Sequence, residues 1–409
     1  MTRRARGLEI VVAGAGPVGL LFAVRLARSE AGAGVRIRVV DRQEPVRWQA
    51  ESTDPRVYAL SRESQWLLGD LWPAIAARRV SPYGLMRVFE GDDPASAASI
   101  RFDAADVGEP DLGHIVEDNL LRTVLHEEIA RLGVDADFGA GIERLERVDG
   151  SMLVTASDGR TTRVDLVVGA DGVGSKVRAA AGIRLFDKRY GQRAVVTHVA
   201  TELAHGGTAW QRFLPGGPLA FLPLADGRSS VVWSLPEARA ERMLAEDDAA
   251  FLAALQTASA GVLGRLGACT PRLQFPLVMR HALRYVRPGV ALIGDAAHAV
   301  HPLAGQGMNL GLSDAAALAG TLAAALAAGE HPGDTRVLRR YERVQKGHNL
   351  AMQLAFDGLN ELFGPRLPGL AAPLRRLGMT AVDRVDPVKR LLVRRALGLD
   401  RTARPGAIR

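Results

Sequence analysis

Cysteine and long apolar runs are what this 409-residue sequence has least of. Cys269 is the only cysteine, which excludes a disulfide framework and a cysteine metal cluster, and we expect it to be a small buried side chain. No stretch of ~20 residues is free of charge, which argues against a membrane-spanning helix. Glu9 and the glycines of 14–19 interrupt any apolar signal segment, so we expect a cytoplasmic protein.

Positive charge is concentrated in the tail. The formal net charge is +7, and residues 381–409 hold eight basic residues against three acidic ones, a difference of +5. Because the body is nearly neutral, we expect no nucleic-acid groove. Asp386 and Pro387 are typical of a helix start, and the basic amphipathic helix that follows either lies on a membrane surface or packs on the body. Its predicted apolar side consists of Val388, Leu391, Leu392 and the stem of Arg395.

A glycine motif near the N-terminus has the context of a dinucleotide-binding loop. A strand from Glu9 to Ala13 leads into Gly14-x-Gly16-x-x-Gly19, a helix over about residues 17–28 follows, and Asp41 ends the next strand about 20 residues on. The glycines permit a tight turn and close approach to a pyrophosphate, and Asp41 is placed to accept a hydrogen bond from a ribose. We therefore predict dinucleotide binding rather than a structural turn.

Two later strands end in the same way, with an aspartate and glycines. The first apolar run ends in Ala170-Asp171-Gly172, and the second, Val290 to Ile293, ends in Gly294-Asp295. After the second run come Pro302, Gly305 and Gly307, and a long apolar helix begins near Met308. Free backbone N–H groups at a helix start favour negative charge, so this stretch offers an acceptor for hydroxyl groups followed by a nest for an electron-rich ring.

Other candidate residues have both a structural and a functional interpretation. Arg56 is either a solvated loop charge or a phosphate ligand, and Arg122 faces either solvent or the cofactor. We expect Asn119, near the start of a predicted helix, to be a capping residue. Residues 195–232 form an apolar β region, one face of which is a candidate wall for a lipophilic substrate, with candidate side chains Trp210, Phe213, Pro218, Phe221 and Pro223.

The glycine and aspartate motifs, in this order, resemble those of the FAD-dependent class A aromatic hydroxylases. Three longer stretches, at 54–61, 217–224 and 294–314, and the tail at 387–398 are similar to the ubiquinone-biosynthesis hydroxylases. The resemblance covers about residues 8–400 and implies a mixed α/β fold, with a Rossmann-like FAD-binding domain of the glutathione-reductase and para-hydroxybenzoate-hydroxylase type. The expected parts are a discontinuous FAD domain (7–80, 111–185 and 275–330), an inserted β-sheet substrate domain (81–110 and 186–274) and a C-terminal helical region (331–409).

The resemblance also implies a cofactor role for each matching residue. Gly14, Gly16 and Gly19 would bind the FAD pyrophosphate, Asp41 the ribose, and Arg56 and Arg122 the phosphates or the adenosine side. Asp171 with Gly172 would lie at the pyrophosphate region and at NAD(P)H, and Asp295 would bind the ribityl chain. The residues that would lie beside the isoalloxazine ring are Pro302, Gly305, Gln306, Gly307, Met308 and Asn309. No catalytic base and no metal site are assigned. We expect His298 and His301 to be structural hydrogen-bonding residues, with a proton shuttle as the alternative for His301.

The implied activity is hydroxylation of an aromatic ring with NAD(P)H and O₂ through a flavin C4a-hydroperoxide. A polyprenylated phenol of ubiquinone biosynthesis is the predicted substrate, because the β wall is apolar and the tail suits a membrane surface. The other partners predicted on this basis are the inner membrane face and further ubiquinone-biosynthesis proteins. The alternatives are a hydroxylase of a soluble phenolic or polyketide-like aromatic, a reductase of prenyl chains, and a non-catalytic FAD-fold carrier or assembly scaffold.

Overall fold

The computed structural model describes residues 7–95, 99–300, 306–363, 389–390, 393–394 and 397–399. Within these residues the helices are α1 Pro17–Ala27, α2 Arg62–Leu68, α3 Trp72–Ala76, α4 Asp118–Arg131, α5 Lys176–Ala180, α6 Glu237–Ala245, α7 Asp248–Ser259, α8 Gln306–Ala327 and α9 Thr335–Phe363. Short 3₁₀ turns cover Glu30–Gly34, Gly69–Leu71, Ala104–Val107 and Gly294–Ala296.

The strands fall into two large and two small sheets. In chain order they are β1 Leu8–Ala13, β2 Val35–Asp41, β3 Val57–Leu60, β4 Val80–Tyr83, β5 Leu85–Glu90, β6 Ser99–Asp103, β7 Gly113–Glu117, β8 Asp135–Phe138, β9 Ile142–Val148, β10 Ser151–Ala156, β11 Thr161–Val164, β12 Leu166–Gly169, β13 Leu185–Thr201, β14 Thr208–Leu214, β15 Gly217–Pro223, β16 Ser229–Pro236, β17 Leu266–Cys269, β18 Leu273–Ala282, β19 Val286–Arg287, β20 Val290–Leu292 and β21 His298–Ala299.

A six-stranded sheet in the order β19-β20-β12-β1-β2-β8 forms the centre of the fold. All its pairings are parallel except that of β19 with β20. Strands β12 and β20 are buried along their whole length, as expected for short apolar runs covered on both faces. Helices α1, α4 and α8 pack with this sheet in one hydrophobic core. Because β1, β12 and β20 run parallel, their carboxyl ends lie at one common edge of the sheet.

A nine-stranded sheet lies along that edge, in the order β21-β18-β13-β16-β15-β14-β5-β6 with β17 pairing to β13. A second core on its outer side contains Trp233, Phe251 and Phe221 together with α6 and α7. The predicted boundary between residues 274 and 275 falls inside β18, which pairs with β13 from Leu185 to Val196. The division into domains at the stated residue numbers stays a prediction.

Two local expectations differ from the structure. The apolar pattern of residues 62–79 predicts one helix, but the structure has two, because Gly69 has φ +60 and ends α2 before α3 begins at Trp72. Cys269 is half-buried rather than fully buried, because β17 pairs with β13 at only two positions on the sheet margin.

Helix α8 is the one described helix that is long and apolar enough to cross a membrane. More than half of its apolar window is buried inside the protein, against α1 and α9. Asp314 in its middle is fully buried. These contacts make α8 a core helix in this fold.

Gly113 provides a test of backbone constraint beside the site. It has φ +151, and a Cβ there would lie 2.3 Å from the carbonyl oxygen of Leu60, at the junction of β3 and β7. We expect Gly113→Ala to lower the free energy of unfolding by about 2–3 kcal/mol, measured by urea titration. Gly34→Ala is the control, because its Cβ would meet open space. Equal stability of the two variants would contradict the assigned strain.

Candidate functional site

A cavity of about 1400 Å³ lies between the two large sheets. On one side it is lined by residues that follow the carboxyl ends of β1, β12 and β20, namely Gly16, Asp171 and Asp295. On the other side it is lined by the inner face of the nine-stranded sheet. A crevice beyond the carboxyl ends of parallel strands is the usual ligand site of open α/β sheets. The three motif-bearing turns, far apart in sequence, therefore meet at one cavity.

The glycine loop after β1 has the close packing that its motif predicts. Gly14 has φ +107, and a Cβ there would lie 2.2 Å from the carbonyl oxygen of Ala170. A Cβ on Gly19 would lie 2.2 Å from the carbonyl oxygen of Gly14. Gly16 faces the cavity with open space beside it, and no side chain caps the first turn of α1. A phosphate can therefore approach these backbone N–H groups closely.

Asp41 supports this loop from β2. Its Oδ2 accepts a hydrogen bond of 2.7 Å from the Ala15 backbone N–H, and its Oδ1 accepts one of 2.9 Å from Gln43. Asp41 is not among the residues that line the cavity. Its contact with a ribose stays a prediction, and the role seen here is to hold the glycine loop against β2.

A charged group borders the cavity at the start of α4. Tyr58 donates to Asp118 Oδ1 at 2.8 Å, and Arg122 Nη1 lies 3.7 Å from Asp118 Oδ2. The guanidinium of Arg56 lies 5.6 Å from the centre of the Phe275 ring. Both arginines line the cavity. Two buried atoms here have no hydrogen-bond partner within the protein, Arg122 Nε and Asn119 Oδ1, so the expected capping role of Asn119 is wrong: α4 starts at Asp118 and no side chain caps it. The group therefore fits a polar ligand that carries negative charge.

Asp171 has a structural role that the sequence analysis did not assign. Its Oδ2 accepts hydrogen bonds from the backbone N–H groups of Lys176 (2.7 Å) and Val177 (3.1 Å), and its Oδ1 accepts from the Ser175 hydroxyl. The carboxylate thus holds the first turn of α5. Asp171 and Gly172, which has φ +76, still line the cavity, so a ligand contact stays a prediction.

Asp295 faces the cavity from the turn after β20. Although the side chain is open to the cavity, protein surrounds it, and this burial raises the pKa of its carboxyl group. The neighbouring His298 and Arg56 oppose that shift. A carboxylate in this position is suited to accepting hydrogen bonds from a ligand that fills the cavity.

The start of α8 is fixed by Asn309. Its Oδ1 accepts hydrogen bonds from the Ser61 backbone N–H (3.0 Å) and the Ser64 hydroxyl (2.7 Å), and its Nδ2 donates to the Ala59 carbonyl at 3.0 Å. These bonds join α8 to β3 and α2. Gln306, Gly307 and Met308 line the cavity, whereas the predicted His301, Pro302 and Gly305 lie outside the described residues.

A buried polar network around Asp314 was not found by the sequence analysis. Asp314 Oδ2 accepts a hydrogen bond of 2.9 Å from the Gly294 backbone N–H and is bonded to His298 Nε2. Its Oδ1 accepts bonds of 3.0 Å from Gln345 and 2.9 Å from Asn349 on α9. The network fixes the residue immediately before Asp295, and His298 is the structural hydrogen-bonding residue that was expected.

Arg178 is a second residue that the sequence analysis missed. It is buried, with Nη1 donating to the Ala296 carbonyl at 2.9 Å and Nη2 donating to the Val173 carbonyl at 3.0 Å. It therefore ties the turn after β12 to the turn after β20. An arginine inside a short helix gives no sequence signal for this role, since both acceptors are backbone atoms.

The candidate substrate wall differs in part from the prediction. Trp210 and Phe213 line the cavity, but Pro218, Phe221 and Pro223 do not. Side chains alternate along β15, so Ala220 and Leu222 face the cavity whereas Phe221 and Pro223 face away from it. Phe221 points to the opposite side, where it is buried near Trp233. Phe221, the largest side chain of the strand, therefore belongs to the second core and not to the cavity wall.

The tail also contributes to the cavity. Val393 and Leu397 are 5% and 4% exposed, line the cavity, and pack with Ala104 and Leu112. Lys389 Nζ lies 3.7 Å from Asp106 Oδ2. Val388, Leu391, Leu392 and Arg395, the predicted apolar side, lie outside the described residues. The described tail residues favour packing on the body over membrane contact.

The fold is that of the FAD-dependent aromatic monooxygenases, the class that the motifs predict. Residues 7–354 match a family model described as an FAD binding domain. The chain is 38% identical over 398 residues to the 3-demethoxyubiquinol 3-hydroxylase of Escherichia coli, covering 96% of this chain and 98% of that protein. It is 37% identical over 393 residues to the ubiquinone hydroxylase UbiL of Rhodospirillum rubrum, covering 95% and 89%. The chain belongs to the ubiquinone-biosynthesis hydroxylase family.

Among solved structures, the p-nitrophenol 4-monooxygenase PnpA of Pseudomonas putida DLL-E4 superposes with a TM-score of 0.78 at 22% identity, covering 96% of this chain and 98% of that one. This likeness shows the fold alone. The predicted fold class, family and FAD cofactor are confirmed.

The His298–Asp314 pair predicts how the stability of the protein changes with pH. Burial alone would lower the pKa of His298, but the carboxylate of Asp314 overrides it and the net pKa is raised. A raised folded pKa contributes stability that is complete below the unfolded pKa of about 6.5 and is lost as pH rises through the folded pKa. We expect Asp314→Asn to cost about 3 kcal/mol of unfolding free energy near pH 6, and less at higher pH.

Urea titrations across this pH range would measure the difference. Asp149→Asn, at an exposed turn, is the control and should change little at any pH. A cost of Asp314→Asn that stays the same from low to high pH would contradict the ionic part of the pair.

Proposed function

We propose that this protein hydroxylates a polyprenylated phenol of ubiquinone biosynthesis, using FAD, NAD(P)H and O₂. The single observation that carries the proposal is a continuous cavity with a charged, glycine-rich edge and an apolar wall. The names of the relatives support the same substrate class, since they are a demethoxyubiquinol hydroxylase and a ubiquinone hydroxylase. A family whose members act on such lipids needs an apolar space beside the cofactor.

The described residues fit FAD along one edge of the cavity. In this proposal the loop of Gly14, Gly16 and Gly19 receives the pyrophosphate, and Arg56 and Arg122 lie on the phosphate or adenosine side. Asp171 with Gly172 lies near the pyrophosphate, and Asp295 accepts hydrogen bonds from the ribityl chain. The unpartnered Arg122 Nε and the open space beside Gly16 support this orientation.

The isoalloxazine ring is proposed to lie at the start of α8, beside Gln306, Gly307, Met308 and Asn309. When bound and reduced by NAD(P)H, the flavin supplies the oxygen chemistry. The chain contributes backbone N–H groups and the positive end of the α8 dipole, which favour negative charge at the ring edge. The sheet side excludes water and orients the phenol. Pro302, Gly305 and His301 belong to the same proposal from sequence alone.

The lipophilic part of the substrate is proposed to lie against the far wall of the cavity. Here β5, β6, the residue before β7, β14 and the tail present a continuous apolar lining, which consists of Met86, Val88, Ile100, Phe102, Leu112, Phe213, Val393 and Leu397. Such a surface suits a prenyl chain better than a small polar phenol. We place the protein in the cytoplasm, at the inner membrane face, with other ubiquinone-biosynthesis proteins as partners.

Removing the Asp295 carboxylate tests the cofactor part of the proposal. Asp295→Ala should fold and yet retain little FAD, because the ribityl hydroxyl groups lose their acceptor. Purified protein would be compared with wild type by flavin absorbance per chain and by circular dichroism. Asp158→Ala, in an exposed turn, is the control and should keep its flavin. Stoichiometric flavin in Asp295→Ala would contradict the assigned role.

The substrate is tested by product analysis. Purified enzyme with NAD(P)H and O₂ would be given a polyprenylated phenol and a soluble phenol, and products would be detected by mass spectrometry. We expect addition of one oxygen atom to the prenylated compound. Turnover of only the soluble phenol would refute the lipid substrate, and NAD(P)H use without O₂ would favour a prenyl reductase. A flavin that NAD(P)H does not bleach even with substrate would favour the carrier or scaffold.

A further inference from the structure

The second half of helix α9 has its polar and apolar faces reversed relative to a helix packed on a protein core, whereas its first half buries Val337, Leu338 and Tyr341 in the usual way. Its buried face presents Gln345, Asn349 and Gln353, which are at most 1% exposed. Every exposed position described between residues 344 and 358 is apolar, and we call this set the outer face of α9: Val344, Gly347, Leu350, Ala351, Leu354, Ala355 and Gly358. Val344 is 63% and Leu354 is 56% exposed. Helices that pack on a core in water normally show the opposite arrangement.

The buried polar side chains explain the orientation of α9. Gln345 and Asn349 donate to Asp314, and Gln353 donates to the carbonyls of Arg280 (2.7 Å) and Ala299 (3.0 Å). Rotating α9 to bury Leu350 and Leu354 would leave the Asp314 carboxylate without the donors Gln345 and Asn349. The outer face is therefore fixed towards the outside by the network beneath it.

Positive charge flanks the outer face. Arg339 and Arg343 on the first half of α9 are exposed, and so are Arg284 and Arg287 on the neighbouring segment. Leu283, immediately after β18, and Phe186 on β13 are 44% and 52% exposed. The described carboxylates nearby are engaged: Glu330 with Arg340, Glu342 with the Tyr285 N–H, and Asp357 with Lys188 and Tyr190.

The outer face is also continuous with the proposed substrate cavity. Ala351 and Ala355 belong to the outer face and line the cavity, together with the neighbouring Met352. An apolar molecule in contact with the outer face would thus meet the apolar lining without crossing a polar rim on α9. This continuity distinguishes the outer face from an ordinary surface patch.

We propose that the outer face of α9 docks on an anionic lipid bilayer, so that the cavity opens towards the membrane interior. Exposed leucine and valine side chains enter the boundary between headgroups and acyl chains, and the flanking arginines bind anionic headgroups. The proposal rests on the proposed lipid substrate, which would then enter beside Ala351 and Ala355. The bilayer, rather than a second copy of the chain, accounts for both the arginines and the cavity opening.

Vesicle flotation tests the docking without requiring turnover. The full-length flavoprotein would be mixed with phosphatidylcholine vesicles, with or without phosphatidylglycerol, and the floated fraction measured. We expect wild type to float with the anionic vesicles and Leu350→Glu/Leu354→Glu to lose at least about tenfold in partition, since two leucines leave the bilayer. Leu203→Glu is the matched control, because Leu203 is 54% exposed at the turn after β13, away from α9.

A second variant examines charge. Arg339→Glu/Arg343→Glu should also lose flotation, and the remaining binding, with only Arg284 and Arg287 left beside the outer face, should depend less on salt than that of wild type. All variants should keep the flavin content and circular dichroism of wild type. Turnover of a short-chain phenol in solution should also be unchanged, because none of the substituted residues lines the cavity.

Four outcomes would overturn the proposal. The first is that wild type does not float with anionic vesicles, and the second is that Leu350→Glu/Leu354→Glu floats like wild type. The third is that Arg390→Glu/Arg394→Glu of the tail loses flotation while the α9 variants do not. The fourth is that wild type is a dimer which the two leucine substitutions convert to a monomer. The last would assign the outer face to a second copy. Failure of the proposed function would be separate, since it is read from products and not from flotation.

Discussion

The buried carboxylate of Asp314 is the constraint on which the site depends. A charge with no exposed surface must be compensated by donors from the protein, and Asp314 recruits them from three places: the Gly294 N–H, His298, and two amides of α9. The turn that carries Asp295, helix α8 and helix α9 are thereby held in one arrangement. The position of the proposed flavin contact and the orientation of α9 share this cause.

The cofactor edge could be predicted from sequence because its signals are local. An apolar run followed by glycine or aspartate specifies a strand and the turn after it, and three such runs in a parallel sheet end at one edge. Gly14, Asp171 and Asp295 were found in this way. The second function of Asp171, holding the first turn of α5, and that of Asp41, holding the glycine loop, depend on backbone donors that no pattern of side chains reveals.

The substrate wall, the domain boundary and the position of the tail could not be predicted from sequence, because they depend on which distant segments pack against each other. The residues of β15 are apolar on both faces of the strand, so nothing local in the sequence indicates whether Phe221 or Leu222 faces the cavity. In the structure Leu222 lines the cavity and Phe221 belongs to the second core. β18 belongs to the nine-stranded sheet through its pairing with β13, nearly a hundred residues away. For the basic tail helix, the sequence left two positions open, on a membrane surface or packed on the body of the protein. In the structure Val393 and Leu397 of the tail line the cavity.

The orientation of α9 shows why an amphipathic pattern does not by itself indicate which side faces the core. If apolar residues are assumed to face the core, Val344, Leu350 and Leu354 are predicted to be buried. Gln345, Asn349 and Gln353 are then predicted to face solvent. The buried charge on α8 reverses this choice, because amide donors compensate Asp314 and leucines do not. Each leucine left outside costs the protein burial free energy in water, a cost that disappears at a lipid surface. The same network that stabilises the turn at Asp295 thus leaves an apolar helix face beside the cavity, where a lipid substrate would enter.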